Sequence, residues 1–207
     1  GESPCWRYGT LSADFANTTY DYGNMPYQLT DSSTTAQINA VATLAYHCGV
    51  ACNMSYNNDC HGSSGAMIEA CMSGMQHFFH YSDDVAIEMK QYYYDNDWIN
   101  LLKQDLAAGH PVFYCGQSYD NPNEGTILGA HAFVFDGYDS NDFFHVNWGW
   151  AGSNNGYYLI TNQYSGSYGN FNYNKGESMM LGLAPEDEDI IKPTTGDVRT
   201  IAAKGTI

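Results

Sequence analysis

Apolar positions between Thr35 and Gly49 recur at three- and four-residue steps: Ile38, Val41, Leu44, Ala45 and Cys48. That spacing lines one face of an α-helix. Ser33 to Thr35 supply capping hydroxyls at its start, and Gly49 stands where a helix C-terminus favours a left-handed residue. The same period predicts a second helix from Gly65 to Gln76, with Met67, Ile68, Cys71, Met72 and Met75 as its stripe. A third is predicted from Asp97 to Ala108, with Trp98, Leu101, Leu102 and Leu106 inward and Gly109 and Pro111 ending it. Beyond Pro111 the pattern changes to short β-branched and aromatic runs, Val112–Cys115, Ala132–Phe135, Phe143–Trp148 and Gly156–Ile160, separated by Gly, Asp, Asn and Ser clusters. The first thirty residues are turn-rich and aromatic and read as extended segments and loops. Helices followed by antiparallel strands give an α+β fold.

At 207 residues the chain is long enough for one sizeable core. Residues 1–185 are read as one domain, and 186–207, opening on the acidic run Glu186-Asp187-Glu188-Asp189, as a linker and C-terminal tail. The formal charge of −16, from 23 acidic and 7 basic side chains, repels a phosphate backbone and excludes nucleic acid as a partner class. No apolar run reaches the eighteen or so residues of a membrane span, so membrane insertion is not expected. The opening Gly-Glu-Ser-Pro has neither an initiator methionine nor a signal-peptide pattern, and the expectation is a chain beginning inside a longer precursor. Six cysteines give a lean toward secretion.

The chemistry concentrates in residues 127–158. His131 follows Gly129-Ala130 at the entrance of an apolar strand, and Asn147-Trp148 closes the next strand after the turn 138–142. Thiol peptidase chemistry needs an imidazole to take the thiol proton, an acceptor to fix the other ring N–H, and a shield against water. His131, Asn147 and Trp148 suit those roles, although a single histidine at a strand start is more often structural. Taken together, Gly-Ala-His-Ala-Phe-Val-Phe-Asp-Gly (129–137) and His-Val-Asn-Trp-Gly-Trp-Ala-Gly (145–152) closely resemble the streptopain family of papain-like cysteine peptidases. The family text there reads Gly-Gly-His-Ala-Phe-Val-Ile-Asp-Gly and His-Val-Asn-Trp-Gly-Trp-Gly-Gly. The resemblance extends through Ala40–Val50, Pro111–Tyr114 and Ser12–Phe15, over roughly residues 10 to 185.

This resemblance implies a papain-like fold, helices in the first half and an antiparallel twisted sheet in the second, and endopeptidase action on extended polypeptides. His131 and Asn147 become the catalytic pair with Trp148 covering them, and Gly129 and Ala130 the expected walls of the substrate subsite. It also implies a secreted or cell-surface bacterial enzyme processed from a zymogen. The family's nucleophile opens a buried helix in a context like Gly-Cys-Val-Ala-Thr-Ala, and nothing here matches it. The expectation is therefore a cysteine on a separate or missing N-terminal segment. Cys5 lies 126 residues before His131, near the papain separation, yet Arg7-Tyr8-Gly9-Thr10 give it no apolar helix. The rival reading is a catalytically inactive papain-like peptide-binding module.

Other clusters are weaker. Cys48, Cys52, Cys60, His61 and Cys71 lack the close pairs of a zinc module, so no metal is assigned. Cys52 and Cys60 flank a polar loop and are either a disulfide or two thiols. Tyr164–Phe171 reads as a cleft-bordering loop by the resemblance or as a plain connection. Asp139, Asn141 and Asp142 lack regular calcium spacing. No cofactor is expected, since no phosphate-cradling glycine loop or dinucleotide fingerprint occurs.

Overall fold

The structure is a computed structural model that describes residues 10–56, 64–119, 125–161 and 171–185, together with the backbone of a strand at 198–202. Cys5, Cys60, His61, most of the 164–171 loop and the acidic run 186–189 lie outside the described residues. The chain divides into two compact units, residues 1–81 with 185–207, and residues 82–184.

In the first unit, β1 (Thr10–Asp14) precedes α1 (Thr35–Ala51) and α2 (Ile68–Phe79). Thr34 is the N-cap of α1: its hydroxyl accepts from Gln37 N while the Gln37 side chain accepts from Thr34 N, a reciprocal pair that satisfies two orphan helix donors. Gly49 does not end this helix, contrary to the sequence expectation. It is buried inside α1, where a Cβ would lie 1.9 Å from the Tyr56 hydroxyl, so glycine there serves close approach rather than a left-handed turn. Ala13, Phe15, Val50 and Ala51 form a small core, with Phe78 of α2 stacked on Phe15 at 4.3 Å. Residues 198–202, within the segment read as a tail, form a strand (Val198–Ala202) that pairs antiparallel with β1, Ser12 opposite Thr200.

The second unit is one antiparallel sheet with a helix, α3 (Asp95–Ala107), packed on it. Its strands are β2 (Ala86–Met89), β3 (Val112–Tyr119), β4 (Ile127–Tyr138), β5 (Phe143–Asn147), β6 (Gly156–Leu159) and β7 (Lys175–Leu181), in the spatial order β2-β7-β3-β4-β5-β6; the strand at 198–202 is β8. Sequence periodicity foresaw β3 to β6; β2 and β7 were not foreseen. The α+β, papain-like expectation holds. Strand alternation puts Val112, Tyr114, Gly116 and Ser118 on the buried face of β3, and Phe133 and Phe135 opposite them on β4. Trp98 from α3 fills this core; its Nε1–H donates to the Tyr114 hydroxyl at 2.9 Å, which donates to Glu177 at 2.6 Å. Burial pushes the Glu177 carboxyl up, partly countered by that hydroxyl. Among the described residues no helix is long and apolar enough to cross a membrane.

A strap at 171–173 crosses the buried face of β3. Asn172 N donates to Ser118 Oγ at 3.0 Å, and a Cβ on Gly116 would lie 1.9 Å from the Tyr173 carbonyl oxygen. Gly116→Ala therefore has to displace backbone, and its urea midpoint should fall by an amount equivalent to about 1–3 kcal/mol or more. An unchanged midpoint would show that the strap does not rest on Gly116.

Candidate active site

His131 sits in β4 opposite Gly116 of β3, sharing the buried face with Phe133. The small partner matters, because it leaves room on that face for the imidazole and the Tyr173 strap together. The ring is half-buried among aromatics: Trp150 stacks at 4.7 Å and 28°, Tyr173 lies at 5.5 Å, Phe133 at 6.1 Å and Trp148 at 6.2 Å between centroids. Burial lowers the His131 pKa, opposed by its hydrogen bond to Trp148, so the ring is held neutral near pH 7.

That hydrogen bond differs from the one expected. His131 Nε2 lies 2.8 Å from the backbone carbonyl oxygen of Trp148. A carbonyl can only accept, so Nε2 carries the proton and Nδ1 of the neutral ring is left as the proton acceptor. Asn147 was expected alongside His131, but in the β4–β5 ladder it faces Val134, three positions away. Its side-chain oxygen instead accepts from Gly149 N at 3.0 Å. Because Gly149 N and the Trp148 carbonyl belong to one peptide group, Asn147 reaches the imidazole through that peptide. Paired ladder positions stop at Asn147, which leaves the Trp148 carbonyl free to turn toward the ring, and Gly149, at φ +74, turns the chain immediately afterwards.

Trp148 itself is wholly buried, with Nε1–H donating to Asn154 O at 3.0 Å. The ring stacked directly on His131 belongs to Trp150, a residue that sequence reasoning passed over although it lies two positions on in Trp-Gly-Trp. Tyr173 was also missed, and no local pattern marks it, since its place comes from the strap. Gly129 lies on the His131 side of β4, where a Cβ would be 3.6 Å from the Phe171 ring. Ala130 pairs with Gln117 and alternates to the opposite face, so any substrate contact it makes beside His131 is through its backbone.

Other chemistry-bearing side chains have environments of their own. Cys115 faces Ala132, on the sheet side opposite His131. The Cys48 thiol is pushed up by desolvation and then by neighbouring Cys52, although part of the residue reaches solvent, which is the reverse of what a thiolate needs. Asp139 accepts from Asn141 N and Phe143 N, which holds its carboxyl low, and Asp142 pairs with Lys103, so both carboxylates have turn and ion-pair roles. Among the described residues no group of three or more His, Cys, Asp or Glu is placed to hold a metal ion.

A profile of the Peptidase C10 family matches residues 3–158. The chain belongs to the Peptidase C10 family. It is 25% identical over 175 residues to the thiol protease/hemagglutinin PrtT of Porphyromonas gingivalis, covering 83% of this chain and 19% of that protein. It is 27% identical over 150 residues to streptopain of Streptococcus pyogenes, covering 72% of this chain and 35% of streptopain. The chain thus spans about a fifth and about a third of these two relatives. Among solved structures, active wild-type interpain A, a cysteine protease of Prevotella intermedia, superposes with a TM-score of 0.74 at 33% identity, over 87% of this chain and 76% of that one. A prointerpain A fragment with a cysteine-to-alanine substitution superposes with a TM-score of 0.68 at 32% identity, over 89% and 59% of the two chains. The C10 relatives named here are thiol or cysteine proteases.

The lowered pKa of His131 couples stability to pH. Its native state binds fewer protons than its unfolded state, so its contribution to stability is full above the ordinary value of 6.5 and is lost as pH falls from there toward the native pKa. Proton NMR of the His131 ring should give a midpoint below 6.5. A midpoint at or above it would contradict the desolvated environment.

Proposed function

We propose that this chain carries the histidine side of a cysteine endopeptidase whose nucleophilic thiol comes from an N-terminal segment. The observation that carries the reading is the His131 ring, fixed through Nε2–H on a backbone carbonyl and stacked under Trp150, with Nδ1 left as the base. Membership of the C10 family and the protease names of its relatives support it.

In this reading Nδ1 of His131 takes the thiol proton and the thiolate attacks the scissile peptide carbonyl carbon. As the C–N bond breaks, the imidazolium returns the proton to the leaving amine, leaving a thioester. Water then attacks the thioester, His131 takes its proton, and the same proton returns to sulfur as the acid product leaves. The Trp148 carbonyl keeps the ring oriented throughout and stabilises the imidazolium, and Asn147 acts on it through the shared peptide. Gly129 and the backbone of Ala130 border the substrate on the His131 side. The substrates are polypeptides. Release from a precursor and action outside the cell are part of the proposal, supported by the existence of a pro-form of interpain A and by the streptopain likeness.

The test is an epoxide or iodoacetamide-type thiol inhibitor applied to the native protease, followed by peptide mapping. Label is expected on a cysteine outside this chain's numbered residues, and its uptake should fall at least about a hundred-fold in His131→Ala. Label at Cys5 would move the nucleophile onto this chain. Absence of labelling together with undiminished peptide binding would favour the inactive binding module instead. Asn147→Ala should lower kcat by roughly ten-fold or more while the protein still folds.

A further inference from the structure

The peptide that receives His131, Trp148 C=O with Gly149 N–H, is held directly on one side, and the peptide before it is held on the other. On one side, Gly149 N donates to Asn147 Oδ1 at 3.0 Å. On the other, the N–H of Trp148 itself donates to Asn155 Oδ1, also at 3.0 Å, reaching back across seven residues. Between them lies a turn with an unusual backbone: Gly149, Ala151, Gly152 and Asn154 all have left-handed φ, at +74, +51, +83 and +62. Ser153 N donates to Trp150 O at 2.9 Å and Asn155 N to Gly152 O at 3.3 Å, so the turn delivers Asn155 back to the residue where it began. The turn also carries the Asn154 carbonyl, which accepts from the Trp148 indole at 3.0 Å and from the Tyr158 hydroxyl at 2.5 Å.

We infer that Asn155 is a positioning residue for His131, acting through the Trp148 backbone. This rests on the peptidase reading for its consequence in rate, though not for its effect on the ring. Past Asn147, among the described residues, no ladder partner fixes the Trp148 backbone, so its carbonyl direction depends on what holds the Trp148 and Gly149 N–H groups. Asn155 is an acceptor at that point, through its side-chain oxygen. Removing it leaves a part-buried N–H without its partner and lets the Asn147–Trp148 peptide rotate, which shifts the Trp148 backbone and turns its carbonyl away from Nε2. The imidazole then exchanges between tautomers, and the fraction with Nδ1 available to the thiol falls. Asn155 makes no substrate contact in this account, so the loss falls on kcat rather than KM.

The experiment compares wild type, Asn155→Ala and Asn155→Asp in the full protease, by steady-state kinetics and by nitrogen NMR of the histidine-labelled protein. In wild type the His131 Nε2 resonance should be that of a protonated nitrogen and Nδ1 that of an acceptor. Asn155→Ala should bring both toward averaged values and lower kcat by roughly ten- to a hundred-fold with KM little changed. Asn155→Asp keeps an acceptor oxygen and should recover the wild-type nitrogen pattern and most of the lost rate. The inference is overturned if Asn155→Ala matches wild type in both readouts, or if a folded Asn155→Asp is no better than the alanine variant. Should the alanine variant fail to fold, the aspartate variant alone decides, with tautomer averaging counting against the inference. If wild type shows no His131-dependent hydrolysis, the peptidase reading fails while the nitrogen comparison still decides the role of Asn155.

Discussion

One hydrogen bond organises the site: His131 Nε2–H to the Trp148 carbonyl, 2.8 Å long. A backbone acceptor fixes the tautomer without competition, since a carbonyl cannot donate, whereas a side-chain amide presents both an oxygen and an NH2. It also moves the burden of orientation from a rotamer to a turn. Everything around it serves that peptide: the β4–β5 ladder that ends at Asn147, the wholly buried indole of Trp148, and the turn that brings Asn155 back to the Trp148 N–H. Gly116 and the strap through Tyr173 complete the surroundings of the ring.

The electrostatics of the ring follow from this arrangement. Burial among Trp150, Tyr173, Phe133 and Trp148 disfavours the imidazolium, and the Trp148 carbonyl partly offsets that cost. The balance keeps His131 neutral, the state a proton acceptor needs, while the carbonyl and the stacked indole stand ready to stabilise the positive charge once a proton arrives. An aromatic enclosure and a dipolar acceptor therefore act in opposite directions on the resting pKa and together on the charged intermediate.

Much of this was legible in the residues. The three helices and strands β3 to β6 declare themselves through periodicity, and the two stretches 129–137 and 145–152 mark the site by their residue identities. Strands β2 and β7 escaped because Ala86–Met89 is short and Lys175–Leu181 is polar at its start, so neither alternates clearly. Gly49 misled because a glycine inside a helix, placed there for the Tyr56 hydroxyl, resembles a C-cap in sequence. The partner of His131 was hidden for a deeper reason. A backbone carbonyl leaves no signature in a side-chain pattern, so the family-like stretch 145–152 points to a direct role for Asn147, whereas register places it against Val134. Trp150 and Tyr173 are set by turn and strap geometry that only tertiary structure reveals.

The most direct measurement is an atomic-resolution crystal structure of the protease with its thiol alkylated by an active-site inhibitor, refined so that the ring nitrogens are assigned from density and hydrogen bonding. The account predicts His131 Nε2 on the Trp148 carbonyl at hydrogen-bond distance, with the Asn147 side-chain oxygen on Gly149 N. Nε2 found on Asn147 Oδ1, with the Trp148 carbonyl turned away, would contradict it.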